Sequence, residues 1–183
     1  MPNLSVPDRL SRRTLLAATL GGTFVSSGAN AEPLRIGVLN TGEGAILPMF
    51  DSNGTRDENT AARLDVMLRD WRAGQAVRMD RKLYDFLYVL QRVTGRAGVA
   101  SGVLVISGYR TAGSNAMLRG RSEAVALQSF HLLGQAVDFR IIGMPCGVAA
   151  GIAWAIGMGG VGLYGEEFVH VDTGPRRRWG DAF

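Results

Sequence analysis

The chain contains only two histidines, and both lie close to carboxylates. His131 lies in the segment SFHLLGQAVD, seven residues before Asp138, and His170 lies in EEFVHVDTG, two residues before Asp172. Two neutral imidazoles and one carboxylate suit Zn²⁺, and three protein ligands leave a fourth position open for water. Such an open site polarises a carbonyl and activates water, which amide hydrolysis at neutral pH requires. His131, Asp138 and His170 are therefore candidate metal ligands.

The residue types by themselves leave a second interpretation open. A histidine and an aspartate at this spacing also fit a capped turn followed by an exposed charge, without any metal. In that case the protein would be structural, and both histidines could be replaced without loss of function.

Strand alternation predicts which side chains share a face. If QAVDFRI is a strand, Asp138 lies opposite the apolar face formed by Val137, Phe139 and Ile141. A last strand is predicted at about 167–172. Alternation along it, continued back to Glu166, places Glu166, Phe168, His170 and Asp172 on one face. Two histidines and one aspartate would then converge from neighbouring strands.

Hydrolysis also needs a carboxylate that takes a proton from water and passes it to the leaving amine. Asp172 shares the face of His170, whereas Glu167 lies three residues before His170 on the opposite face, and Glu166 is a third candidate. We rank Asp172 slightly above Glu167, either as the base or as a hydrogen-bond partner of the ligands. Arg110 follows the strand GVLVIS and is a candidate for holding a substrate carboxylate or the developing oxyanion.

The elements that must position these residues alternate between strands and helices. The pattern predicts helices at about 58–72, 81–93 and 146–156, with a polar helical stretch at 115–121. It predicts strands in a hairpin at 34–50, in a segment that ends in SGYRT, and at about 160–164 and 167–172. This order favours an α+β domain with a mainly antiparallel sheet and flanking helices. The spacing G-x-G-x-x-G in GMGGVG follows a helix and precedes a strand, so it does not predict a dinucleotide site.

The first 31 residues differ from the rest. Arginines precede a short apolar run, and Ala29-Asn30-Ala31 has the spacing of a cleavage site, which predicts a removable export signal. Ser11-Arg12-Arg13-Thr14-Leu15-Leu16 resembles the twin-arginine export motif. We therefore expect one domain over residues 32–183 and no permanent membrane anchor, because the apolar run is about half of the roughly 20 residues that a span needs.

Charge and cysteine content exclude other classes of site. Removing residues 1–31 takes away three arginines and one aspartate and lowers the formal net charge from +4 to +2, which does not favour nucleic acid as a partner. Arg176-Arg177-Arg178 is interpreted as a solvated tail. The single cysteine, Cys146, excludes an internal disulfide and a cysteine-cluster metal site, and it is expected to be a buried small side chain.

Five motifs occur in a fixed order along the chain: SGYRT at 107–111, NAMLR at 115–119, S-x-H-x-x-G-x-A-x-D at 129–138, GGVGLY at 159–164 and FVHVDTG at 168–174, followed by Arg178-Trp179. Together they closely resemble the periplasmic murein endopeptidase branch of the D-Ala-D-Ala metallopeptidase family. The resemblance covers most of residues 34–180.

The resemblance implies a fold shared with the hedgehog signalling domain and one zinc ion held by His131, Asp138 and His170. It associates Arg110 with stabilisation of the substrate or the transition state. Dipeptidase members of the family have a glutamate at the position of Glu167, whereas the murein branch keeps the H-x-D pair that ends at Asp172. The implied reaction is cleavage of peptidoglycan cross-links or stem peptides in the periplasm. Separately from the resemblance, we expect a monomer. A D,D-carboxypeptidase and a non-catalytic peptidoglycan-binding module of the same fold are the alternatives.

Overall fold

A computed structural model describes residues 32–96, 102–123 and 125–180. The predicted export signal at 1–31 lies outside the described residues. Seven strands, four helices and one short 3₁₀ helix are described: β1 Leu34–Val38, β2 Gly44–Leu47, α1 Glu58–Met67, α2 Arg81–Arg96, β3 Val103–Ser107, α3 Ala112–Arg119, a 3₁₀ helix Phe130–Leu133, β4 Ala136–Ile141, α4 Cys146–Ile156, β5 Gly160–Tyr164, β6 Phe168–Asp172 and β7 Arg177–Gly180. None of the described helices combines the length and the apolar character that a membrane span requires.

The strands form one sheet in the order β2-β1-β3-β4-β6-β5-β7. The predicted mixture of helices and strands is confirmed, but the expectation of a mainly antiparallel sheet is wrong because the sheet is mixed. β1 pairs with β3 in parallel, and β5 pairs with β7 in parallel. Parallel neighbours need a crossover connection, and α1 and α2 supply it between β1 and β3. Hairpin-like sequence signals do not reveal such a crossover.

Several element boundaries differ from the sequence pattern for local reasons. α1 ends at Met67, five residues earlier than predicted, because the chain then makes a tight turn closed by a bridge between Asp70 and Gln75. α3 begins at Ala112, since the side chain of Thr111 accepts a hydrogen bond from the backbone of Ser114 and caps the helix.

The arginine run near the C-terminus is solvent-exposed as expected, but residues 177 and 178 do not form a tail. These two residues begin β7, which extends the sheet beside β5. The run has no apolar alternation, so its pattern does not predict a strand. Its place in the sheet depends on pairing with a neighbour distant in sequence.

The core lies on one face of the sheet, against α2 and α4. Alternation along β4 buries Val137, Phe139 and Ile141, and Phe139 packs edge-on against Phe86 of α2 with ring centroids 5.9 Å apart. The opposite face of β4 carries Asp138, as the pattern predicts. The same strand therefore anchors the core and presents a carboxylate on the other side of the sheet.

Replacing Phe139 with alanine tests this packing. The ring is fully buried, so Phe139→Ala is expected to lower the free energy of unfolding by about 3–5 kcal/mol through lost burial and a residual cavity. Urea denaturation of the two proteins measures the difference. Val148→Ala, at an exposed position of α4, is the matched control and should change stability by less than about 0.5 kcal/mol. A loss below about 1 kcal/mol in Phe139→Ala would contradict the packing described.

Candidate metal centre

Three buried side chains meet on the face of the sheet opposite the core. Asp138 and His170 are directly opposite each other in the antiparallel pairing of β4 with β6. His131 belongs to the 3₁₀ helix that precedes β4, rather than to a strand. Gly134 ends this helix with φ of 65°, a left-handed conformation that glycine adopts without strain, and thereby turns the chain into β4. His131 and Asp138 are seven residues apart because the turn lies between them.

The three inward atoms stand close enough to share one ion. His131 Nε2 lies 3.1 Å from Asp138 Oδ1 and 3.3 Å from His170 Nδ1, and His170 Nδ1 lies 2.8 Å from Asp138 Oδ1. Among the described residues, no other group of three histidine, cysteine, aspartate or glutamate side chains meets the same criterion. The ligands expected from the sequence are therefore brought together.

The outward nitrogens of both imidazoles have acceptors, and this decides which nitrogens face inward with a lone pair. His131 Nδ1 lies 2.6 Å from the carbonyl oxygen of Gly108, and His170 Nε2 lies 3.1 Å from Asp172 Oδ2. A neutral imidazole that donates from one nitrogen offers a lone pair at the other. When both imidazoles are neutral and donate outward, two lone pairs and a carboxylate oxygen converge, and either a proton on His170 Nδ1 or a metal ion satisfies this arrangement. The residues present fit a metal ion.

Burial and neighbouring charge set the protonation of the cluster. Burial alone would raise the pKa of the Asp138 carboxyl, but His131 and His170 outweigh it and the net shift is downward. Burial lowers the pKa of His131. Burial would also lower the pKa of His170, but hydrogen bonds with Asp138 and Asp172 raise it. In the metal-free protein, His170 is therefore the ligand from which a metal ion must displace a proton as the pH falls.

The loop after β3 approaches the cluster closely at Gly108. A Cβ at this position would overlap the carbonyl oxygen of Leu68, and the adjacent Tyr109 N–H donates to that same oxygen at 2.8 Å. The close contact holds the Gly108 carbonyl against His131. The glycine in the segment SGYRT thus serves the metal centre through backbone geometry.

Arg110 lies at the cluster, and its guanidinium hydrogen-bonds side chains of the protein itself. Its Nη2 donates to Asp138 Oδ2 and stands 3.1 Å from His131 Nε2, while its Nε donates to Ser107 Oγ at 2.9 Å. The side chain is nearly buried. Arg110 therefore compensates the charge of a candidate ligand.

Asp172 lies behind His170, on the side away from the cluster. Its carboxylate is fully buried and contacts the outward nitrogen of His170. It also accepts hydrogen bonds from Arg177 at 2.7 and 3.0 Å and from the Gly174 N–H at 2.9 Å. These hydrogen bonds outweigh the effect of burial and lower the pKa of Asp172. Of the two roles expected from the sequence, this placement is that of a residue that orients a ligand.

The two glutamates before β6 have different surroundings. β6 begins at Phe168, so Glu166 and Glu167 lie in a turn and strand alternation does not apply to them. The Glu166 carboxylate accepts a hydrogen bond from the Cys146 N–H at 2.9 Å and so caps α4. Both glutamates are exposed and line the cavity beside the cluster, but only the Glu166 carboxylate is engaged with a helix N-terminus.

The cluster of His131, Asp138 and His170 forms part of the wall of an open cavity of about 910 Å³. On one side, Tyr164 stacks on Phe168 with ring centroids 4.5 Å apart, and its hydroxyl accepts a hydrogen bond from Trp179 Nε1 at 3.1 Å. The Trp179 ring also packs against His170. Arg177 and Trp179 both belong to β7. Residue patterning missed their roles, because only the parallel pairing of β7 with β5 brings them to the site.

A buried histidine-aspartate-histidine cluster in the wall of an open cavity is the arrangement of a metallopeptidase. The chain belongs to the family described as peptidoglycan L,D-endopeptidase MepK, whose family model matches residues 26–179. The family resemblance seen in the sequence is therefore confirmed.

Curated relatives share most of the chain. The peptidoglycan L,D-endopeptidase MepK of Escherichia coli (strain K12) is 38% identical over 182 residues, which cover 92% of this chain and 97% of that protein. The probable peptidoglycan L,D-endopeptidase MepK of Haemophilus influenzae is 42% identical over 118 residues, 64% of this chain and 62% of that protein. No solved structure matches the chain.

The contact between Asp172 and His170 predicts an effect on metal affinity. In Asp172→Asn the negative charge behind the ligand is lost, so zinc affinity is expected to fall about 10- to 100-fold while saturating zinc still fills the site. Competition with a chromogenic chelator measures the change, and Asp51→Asn, outside the cavity, is the control. Unchanged affinity would contradict the positioning role, and complete loss of metal would make Asp172 a ligand.

Proposed function

We propose that this chain is a zinc-dependent endopeptidase that hydrolyses the peptide cross-links of peptidoglycan. The observation that carries the proposal is the convergence of His131 Nε2, Asp138 Oδ1 and His170 Nδ1 beside an open cavity. The names of the relatives support the substrate class. The size of the cavity supports a peptide substrate, because it lies at the upper end of the range of about 300–1,000 Å³ that is usual for small-molecule pockets.

Zinc is the metal proposed, with one ion per chain held by these three residues. Zinc accepts both imidazole nitrogens and carboxylate oxygens as ligands, and three protein ligands are typical of catalytic zinc. Bound there, zinc would supply a Lewis acid that polarises the scissile carbonyl and makes water a stronger acid.

The surrounding residues divide the remaining tasks. Asp172 orients His170, and Arg110 balances the charge of Asp138 and presents positive charge near the reacting carbonyl. Glu167 is proposed as the general base, because its exposed carboxylate lines the cavity whereas the Asp172 carboxylate is buried behind a ligand. A base must reach the proton that it takes.

We further propose that residues 1–31 form a cleavable export signal of the twin-arginine type and that residues 32–183 act as one domain in the periplasm. The basic run before a short apolar segment supports export. A monomer is proposed as the active form, because the three candidate ligands and the residues that hydrogen-bond them converge within one domain.

Zinc content and digestion of purified peptidoglycan sacculi test the proposed function. The mature protein, residues 32–183, is expected to contain about one zinc per chain and to convert cross-linked muropeptide dimers into monomers, as followed by chromatography. His131→Ala and His170→Ala should lose both properties. Zinc with release of terminal residues only would indicate a carboxypeptidase, zinc without any product would indicate a binding module, and protein without zinc would contradict the site.

The assignment of the base is tested separately. Glu167→Gln removes the proton acceptor, so kcat is expected to fall about 10²- to 10⁴-fold with zinc content unchanged. Glu123→Gln, at an exposed position outside the lining of the cavity, is the control and should keep the full rate. A fully active Glu167→Gln variant would return the role of base to Asp172.

A further inference from the structure

The proposed substrate poses a recognition problem that Arg110 does not solve. Peptide stems of peptidoglycan carry free carboxylates, and a cavity that binds them needs a cation with donors to spare. The Arg110 guanidinium already bonds Asp138 and Ser107 and is nearly buried. Most donors of Arg110 are therefore engaged within the protein, and a further cation in the cavity would supply donors for a substrate carboxylate.

Arg72 is placed for this task. It lies in the turn after α1, is exposed and lines the same cavity as the candidate metal ligands. Its guanidinium stands over the Trp71 ring at 4.4 Å from the centroid, a cation–π contact that limits its freedom. Its backbone N–H donates to Asp70 Oδ1 at 3.1 Å, which ties the turn to a buried carboxylate. The charged group is thus held in place before any ligand binds.

The positive charge of Arg72 has no salt-bridge partner within the described residues. None of their carboxylates lies within 4 Å of its guanidinium nitrogens. The nearby Asp70 is engaged with Thr111, whose N–H and hydroxyl both bond Asp70 Oδ2 at 2.8 Å.

Other cations reinforce this charge. Burial lowers the pKa of Arg72, Asp70 opposes this shift, and repulsion from Arg110 and Arg121 lowers it further. Arg72 and Arg110 both line the cavity, so two guanidiniums face the space in which a substrate would bind. Glu167 lines the same cavity with opposite charge, so the cavity presents both signs of charge to a zwitterionic peptide.

We infer that Arg72 is a specificity residue that binds a free carboxylate of the substrate peptide within the catalytic cavity. The inference rests on the proposed function for the identity of the peptide. Arg72 would be a second cationic contact for the substrate, in addition to Arg110 near the reacting carbonyl. A guanidinium binds a carboxylate through two parallel hydrogen bonds. It binds the corresponding amide less well, because the amide NH₂ group would face an N–H donor of the guanidinium.

Binding of two ligands to metal-free protein tests this role apart from catalysis. One ligand is a cross-linked muropeptide dimer with free carboxylates, and the other is the same dimer with those carboxylates amidated. The metal is removed by dialysis over a chelating resin, so no turnover occurs and no soluble chelator competes for the cation. Titration calorimetry gives Kd for wild type, Arg72→Gln and Arg63→Gln, where Arg63 is an exposed arginine of α1 outside the catalytic cavity.

Wild type and Arg63→Gln are expected to prefer the acid form about 10- to 100-fold, and Arg72→Gln to lose most of that preference while binding the amidated form as wild type does. A preference retained in Arg72→Gln, or absent in wild type, would overturn the assignment. Failure of zinc-loaded wild type to cleave either dimer would contradict the proposed function instead, and the binding comparison would still decide the role of Arg72.

Discussion

The structure depends on holding the ligand atoms of His131, Asp138 and His170 together in a buried site. Two imidazole nitrogens and a carboxylate oxygen within about 3 Å of one another repel unless a proton or a metal ion lies between them. The protein opposes that repulsion from outside: the Gly108 carbonyl and the Asp172 carboxylate each accept a hydrogen bond from one imidazole, and Arg110 compensates the charge of Asp138. Each outer contact directs a lone pair inward, so the metal centre is determined by its surroundings as much as by its ligands.

The sheet supplies the rigidity that this arrangement requires. The pairing of β4 with β6 places Asp138 and His170 side by side, while the other face of the same strands is buried against α2 and α4. A shift of register by one residue would move Asp138 into the core and expose Phe139. The hydrophobic effect that stabilises the fold therefore also fixes the position of the ligands.

Three arginines perform different tasks around one cavity because their environments differ. Arg110 is nearly buried and paired with a ligand, and Arg177 is paired with the carboxylate behind a ligand. Arg72 is exposed, stacked on an indole ring and near other cations. Pairing with a fixed carboxylate makes the first two part of the metal centre, whereas the third retains charge for a ligand. Residue type alone does not distinguish these tasks.

By itself, the sequence determined the alternation of strands and helices, the two faces of β4 and, through its motifs, the family and the candidate ligands. These features depend on local periodicity and on residues close together along the chain. Only the tertiary structure decided that Asp172 lies behind His170, that Glu166 caps α4 and that β7 brings Arg177 and Trp179 to the site. Each of these depends on where a turn ends or on which distant strand is the neighbour, and the periodicity of a single segment carries no information about either.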